Sequence, residues 1–153
     1  MSDDPAVRVW ARLRVMVLER HDRRRKAAEA LGMSFIKVKA LRKATAGPLT
    51  MRELTEHLNT DRPYTTLVVD ELVRRGLVVR ESHPDDRRLR IVTATPAGEE
   101  AAGRAERILG EPPPELRALS ADDLATLDRI TALLAAAPGP SGTDGPGDRV
   151  SGS

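Results

Sequence analysis

Six arginines fall between Arg74 and Arg90, against three acids, Glu81, Asp85 and Asp86. Three of the six, Arg87, Arg88 and Arg90, crowd into four residues directly after His83-Pro84-Asp85-Asp86, a run of turn-forming residues. Guanidinium groups at the tip of a tight turn suit phosphate oxygens and the negative potential of a narrow minor groove. Upstream, Arg62, Tyr64 and Thr66 give the first half of another segment a polar face that can meet base edges. No catalytic constellation competes with this chemistry. There is no nucleophile elbow, no phosphate-cradling glycine loop and no His-Glu helical pair, so no enzyme is expected. His21, His57 and His83 fall on three different elements without ligand spacing, so neither a metal nor another cofactor is expected.

The elements that must carry these side chains are well marked. Thr50-Met51-Arg52-Glu53 reads as a capping box, with Leu49 and Leu54 placed as a hydrophobic staple. Met51, Leu54 and Leu58 form the buried stripe of the helix that follows. Asn59-Thr60 is a turn, Asp61 caps the next helix, and Pro63 is tolerated in its first turn. In that second helix Thr65, Val68, Val69 and Leu72 face inward, leaving Arg62, Pro63, Tyr64, Thr66, Leu67 and Asp70 outward. Arg74 and Arg75 sit in its last turn and Gly76 ends it. Residues 77–82 form a strand and residues 89–93 its return, with Leu89, Ile91 and Thr93 alternating against Arg88, Arg90 and Val92. Thr95-Pro96 then opens a helix that runs to about Gly110. Two short helices, a tight turn and a hairpin with a basic tip make a winged helix-turn-helix, mainly α with a small β-hairpin wing. The second helix fits the major groove of duplex DNA and the wing fits beside it.

The flanks read differently. Residues 5–31 are expected to form one long helix, with Val7, Trp10, Leu13 and Val17 at helical spacing. Val9, Val15, Met16 and Leu18 broaden the stripe beyond one face, as for a helix that also packs on another subunit. The run Arg20 to Lys26 is read as its solvated face. Gly32 ends this helix and Ser34 caps another, which carries Phe35, Val38 and Leu41 and stops at Gly47-Pro48. Pro112-Pro113-Pro114 is a rigid connector. Ser120 caps a last helix with Leu124, Leu127, Ile130 and Leu134 in one stripe. Residues 138–153, rich in Gly, Pro and Ser, are expected to be disordered.

Composition sets the remaining bounds. Of the 153 residues, 40% are hydrophobic but only 2% aromatic, so the core must be built from Leu, Val, Ala and Ile. The formal charge is +2, with the basic residues clustered and the last forty residues leaning acidic. Cysteine is absent, which excludes disulfides, thiolate metal sites and thiol redox switches. No apolar run approaches a membrane span, and MSDDPAVRVW is no secretory signal, so a cytoplasmic protein is expected.

Residues 49–98 resemble the DNA-binding domain of the MarR family of bacterial transcription regulators. The carriers are LTMRELTEHL, DRPYTTLVVDELVRRGLVVR and PDDRRLRIVTATPAG, and the most specific piece is Asp86-Arg87-Arg88 before the return strand. The resemblance implies that Arg88 reaches the minor groove and that Asp86 braces it. It implies a single domain over residues 5–136: a winged module at 34–95, with dimerisation helices at 5–31 and 96–136 that intertwine into a homodimer. It also implies a repressor on a pseudo-palindromic operator, and release from double-stranded DNA by a small aromatic or anionic effector. Trp10, Met16, Met33, Phe35 and Met51 are the candidate lining of that effector pocket. The peroxide-sensing branch of the family is excluded by the lack of cysteine. DNA contacts are expected from Arg62, Pro63, Tyr64, Thr66, Leu67, Arg87, Arg88 and Arg90. Two departures from the family pattern stand out: Leu67 where a polar residue is common, and Pro63 in place of a small polar one. The alternative, favoured somewhat by the outward Leu67, is a protein–protein module that has lost specific DNA binding.

Overall fold

The structure, a computed structural model, describes residues 3–139. By their backbone contacts the described residues divide into two compact units, one ending at Glu111 and one beginning at Pro112. The tail expected to be disordered lies, from residue 140 onward, outside the described residues.

The first unit begins with α1 (Pro5–Arg14), a π-helical turn (Val15–Arg20) and α2 (Arg23–Leu31). The single helix expected over residues 5–31 is therefore two. His21 leaves helical space at φ −129° and ψ 57°, and the Asp22 side chain accepts from the Arg25 amide at 3.1 Å. A carboxylate at that position offers the backbone a cap in place of another helical turn. The charged run thus contains a helix start, while Arg20, Arg24, Arg25 and Lys26 stay exposed as expected of a solvated face.

Gly32 ends α2 in the left-handed region at φ 64°, and α3 (Phe35–Thr45) follows. Ser34 occupies the cap position of α3 but its side chain makes no capping bond. Next come β1 (Leu49–Thr50), α4 (Met51–Leu58), α5 (Arg62–Arg74), β2 (Val78–Ser82), β3 (Arg90–Ala94) and α6 (Pro96–Gly110). The sheet has three antiparallel strands in the order β1-β3-β2, not the two expected. The added strand is only two residues long, below the length at which alternation can be read. Val78 faces Ala94 and Ser82 faces Arg90 across the wing.

The core gathers one stripe from each element. Val38 and Leu41 of α3, Leu54 of α4, Val68, Val69 and Leu72 of α5, and Val78 and Val92 of the sheet are essentially inaccessible. In β3 it is Val92 that is buried, while Leu89 stays exposed before the strand begins. The apolar alternation of Leu89 and Ile91 is therefore not the core face. Helix α6 packs against α2 and α3. Its first turn lies so close to the chain that a Cβ on Gly98 would collide with the Leu77 carbonyl oxygen. Thr95 locks this junction: its hydroxyl donates to Gly76 O at 2.6 Å and accepts from the Gly98 amide at 3.1 Å.

Two arginines seat on the end of α2. Arg75, just past α5, donates to the carbonyls of Leu31 (3.3 Å) and Gly32 (2.8 Å), and Arg104 of α6 donates to Ala30 O (3.2 Å). Cations at a helix C-terminus meet its unpaired carbonyls and the negative end of its dipole.

The second unit contains α7 (Pro114–Arg117) and α8 (Ala121–Ala136). The Ser120 hydroxyl caps α8 by accepting from the Asp123 amide at 3.1 Å. Leu124, Ile130, Leu133 and Leu134 of α8 are all exposed. Among the described residues no helix is long and apolar enough to cross a membrane.

Candidate nucleic-acid interface

Helix α4 supports the site from behind. The Thr50 hydroxyl accepts from the Glu53 amide at 3.1 Å, as a capping box requires. The reciprocal half differs from the expected bond to the Thr50 amide: the Thr50 hydroxyl donates to the Glu53 carboxylate (3.2 Å), while Thr50 itself pairs with Ile91 in the sheet. Asn59 closes α4 at φ 50°, a conformation that asparagine tolerates better than most side chains. Asp61 then caps α5, accepting from the Tyr64 amide at 2.8 Å.

Where the two helices cross, two hydroxyls meet. Thr65 is fully buried, donates to Asp61 O at 2.9 Å, and lies 2.9 Å from the Thr55 hydroxyl, which can donate to it. A satisfied buried polar pair fixes a crossing more narrowly than apolar contact alone. Helical spacing places Thr65 inward but does not reveal its partner, which lies ten residues away and on another helix.

The outward face of α5 carries the expected residues. Arg62, Pro63, Tyr64 and Leu67 are exposed, Leu67 to 65%. Thr66 is half-buried and its hydroxyl donates to Arg62 O at 3.0 Å, so that proton is already engaged by the backbone. Pro63, Leu67 and Asp70 succeed one another along one face at helical spacing.

Asp70 does not stand alone. Its carboxylate meets Arg80 of β2 at 2.7 Å, which ties the helix to the strand leading into the wing. This pair was not anticipated from sequence. Both members were visible as charges, but only the packing of β2 on α5 brings them together.

In the wing, the His83 amide donates to Leu89 O at 2.8 Å and the Leu89 amide to Asp86 O at 3.0 Å. Asp86 Oδ1 accepts from the Arg88 amide at 3.0 Å and lies 3.4 Å from Arg88 Nε. The Arg88 side chain is otherwise 93% exposed. Arg87 is exposed at the tip, and Arg90, the first residue of β3, reaches Ser82 Oγ at 3.4 Å. The wing thus presents guanidinium groups from a backbone held by its own carboxylate.

At the far end of α5, Glu71 accepts from Arg74 (2.6 and 2.9 Å) and from Arg75 (2.8 Å). Those hydrogen bonds, Arg74's first and Arg75's next, hold the Glu71 carboxyl at about 2, below its ordinary 4.5. The last turn of α5 therefore turns its cations to structure, while the first turns and the wing direct theirs outward.

The five residues expected around an effector are dispersed. Met33 and Met51 belong to the core, and Trp10 is 65% exposed on α1. Met16 borders a cleft of about 430 Å³ with Ala11, Arg12, Val15 and Arg20. Phe35 borders another, of about 350 Å³, with Lys39, Arg42, Lys43, Ala46 and Glu106, and Arg24 stands 5.9 Å from its ring centre. Among the described residues no group of histidine, aspartate and glutamate is arranged to hold a metal ion.

Comparison with known proteins agrees with this architecture. Residues 44–89 match the model of the MarR family. The YusO protein of Bacillus subtilis superposes with a TM-score of 0.71 at 19% identity, over 90% of this chain and 99% of that one. The reduced form of MarR from E. coli superposes at 0.64 with 27% identity, over 81% and 94%. A mutant of E. coli MarR, solved in complex with operator DNA, superposes at 0.56 with 24% identity, over 88% and 99%. No curated protein matches the chain in sequence. The winged module with its carboxylate-braced basic tip is thus similar, by family model over residues 44–89 and by fold over most of the chain, to the MarR family of winged helix-turn-helix transcription regulators.

Proposed function

We propose that the protein is a sequence-specific, DNA-binding transcription regulator. The observation that carries this reading is the Asp70–Arg80 pair. It couples the exposed face of α5 to the strand that presents Arg87 and Arg88, so helix and wing can address DNA as one surface. In this reading Arg62, Tyr64, Thr66, Pro63 and Leu67 meet the major groove. Arg88, braced by Asp86, enters the minor groove, and Arg87 and Arg90 hold phosphates.

In the same reading the protein acts as a homodimer. Support comes from the exposed apolar residues of α1 and of α8, which a second copy would cover. Two recognition helices would then enter successive major grooves of a pseudo-palindrome, roughly 34 Å apart. Repression in the cytoplasm, relieved by a small effector, completes the proposal. The cleft beside Phe35 carries Lys39 and Lys43 next to the Arg42–Glu106 ion pair, a net positive wall suited to an anion.

The test is fluorescence anisotropy against the DNA upstream of the protein's own gene, with a scrambled duplex as control. Tight binding to the native fragment alone, persisting near physiological salt, is expected. Arg88→Ala should weaken it at least tenfold and lower the salt slope by about one. Equal, salt-fragile binding to both duplexes would leave only the generic phosphate contribution and overturn the proposal.

A further inference from the structure

The polar inventory of the α5 face is smaller than its sequence implies. Thr66 has committed its hydroxyl proton to Arg62 O, Pro63 has neither an amide proton nor a polar side chain, and Asp70 is held by Arg80. Between Arg62 and Tyr64 at the helix start and Asp70 two turns on, the most exposed side chain is Leu67, at 65%. Leu67 lies one turn from Pro63, and the two make an apolar strip in the middle of a surface otherwise built for a polyanion. Such a strip cannot exchange hydrogen bonds with guanine or adenine. The apolar feature a major groove offers is the C5-methyl group of thymine.

We propose that Leu67, flanked by Pro63, is a specificity-determining residue that selects thymine in the operator half-site through its C5-methyl group. The inference rests on the DNA-binding reading above and sharpens it: the central contact of the recognition helix is apolar, and the arginines around it supply affinity. The remaining donors, Arg62 and Tyr64, read or position at the edge of the same half-site.

The probe is a duplex selected by the full-length protein from a randomised pool, with each thymine of the half-site then replaced in turn by deoxyuridine. That exchange removes one methyl group and leaves base pairing intact. For the wild type, one position should lose affinity about fourfold in each half-site, the ratio expected for one buried methyl-sized group. For Leu67→Ala, which removes an exposed side chain, the same exchange should cost nothing. Wild-type indifference to uracil at every thymine overturns the inference, as does an unchanged penalty in Leu67→Ala. A pool that shows no enrichment at all overturns the DNA-binding reading, and this inference with it. Specific enrichment with no uracil effect overturns only the role of Leu67.

Discussion

Helices α4 and α1 carry apolar residues at the same period and meet opposite fates. In the eight residues of α4, Met51, Leu54 and Leu58 are buried against α3, α5 and the sheet. In α1 and its π-helical turn, Val7, Val9, Trp10, Leu13, Val17 and Leu18 all remain exposed. Helix α8 behaves like α1, with no buried residue in its sixteen. The winged module closes one core together with α2 and α6, whereas α1 and α8 each present an exposed apolar stripe. Isolated helices of such length are marginal in water, so a stripe of this kind signals a covering surface supplied from outside.

The sharpest test of that contrast is Leu54→Ala. Leu54 is fully buried, and truncation should cost about 2–5 kcal/mol in urea unfolding, independent of protein concentration. Trp10→Ala should behave in the opposite way. It should leave a dilute sample's unfolding nearly unchanged but weaken self-association roughly tenfold or more, as loss of an aromatic anchor does. Sedimentation equilibrium checks this. A wild-type chain that stays monomeric at every concentration would break the comparison.

Smaller effects test the module's local devices. Thr50→Ala removes the α4 cap and should cost about 1 kcal/mol by thermal or urea unfolding. The least effect belongs to Glu71, whose carboxyl is depressed by Arg74 and Arg75. A depressed carboxyl adds stability that is complete above its unfolded value, 4.5, and lost as pH falls toward about 2. Acid titration of Glu71→Gln against wild type should therefore show curves that separate above pH 4.5 and converge near pH 2. Solvent screening keeps the separation small.

How much was legible in the sequence follows from how local each signal is. The α4 cap, the Asn59-Thr60 turn and the buried face of α5 depend on residues a few positions apart, and each can be read from spacing; the Asp86–Arg88 brace came instead from the family resemblance. The break at Asp22 was local as well, but a capping carboxylate inside Arg20 to Lys26 looks like one more solvated charge. Asp70 with Arg80, Thr55 with Thr65, and Gly98 against Leu77 are different in kind. Each depends on which elements pack together, and no periodicity carries that. The face of α5 shows the same limit: Thr66 reads as a free hydroxyl until its bond to Arg62 O is seen.

Arg75 has a mechanical meaning beyond the bonds it makes. Its Nε faces Glu71 on its own helix, and its two terminal nitrogens face the last carbonyls of α2. A guanidinium is a rigid plate, so it transmits torque between those helix ends instead of absorbing it. Helix α5 has thirteen residues and is roughly 20 Å long. Pinned at that end it is a lever, and a tilt of about 5° at the pin would carry Leu67 by about 1 Å and Tyr64, farther out, by about 1.4 Å.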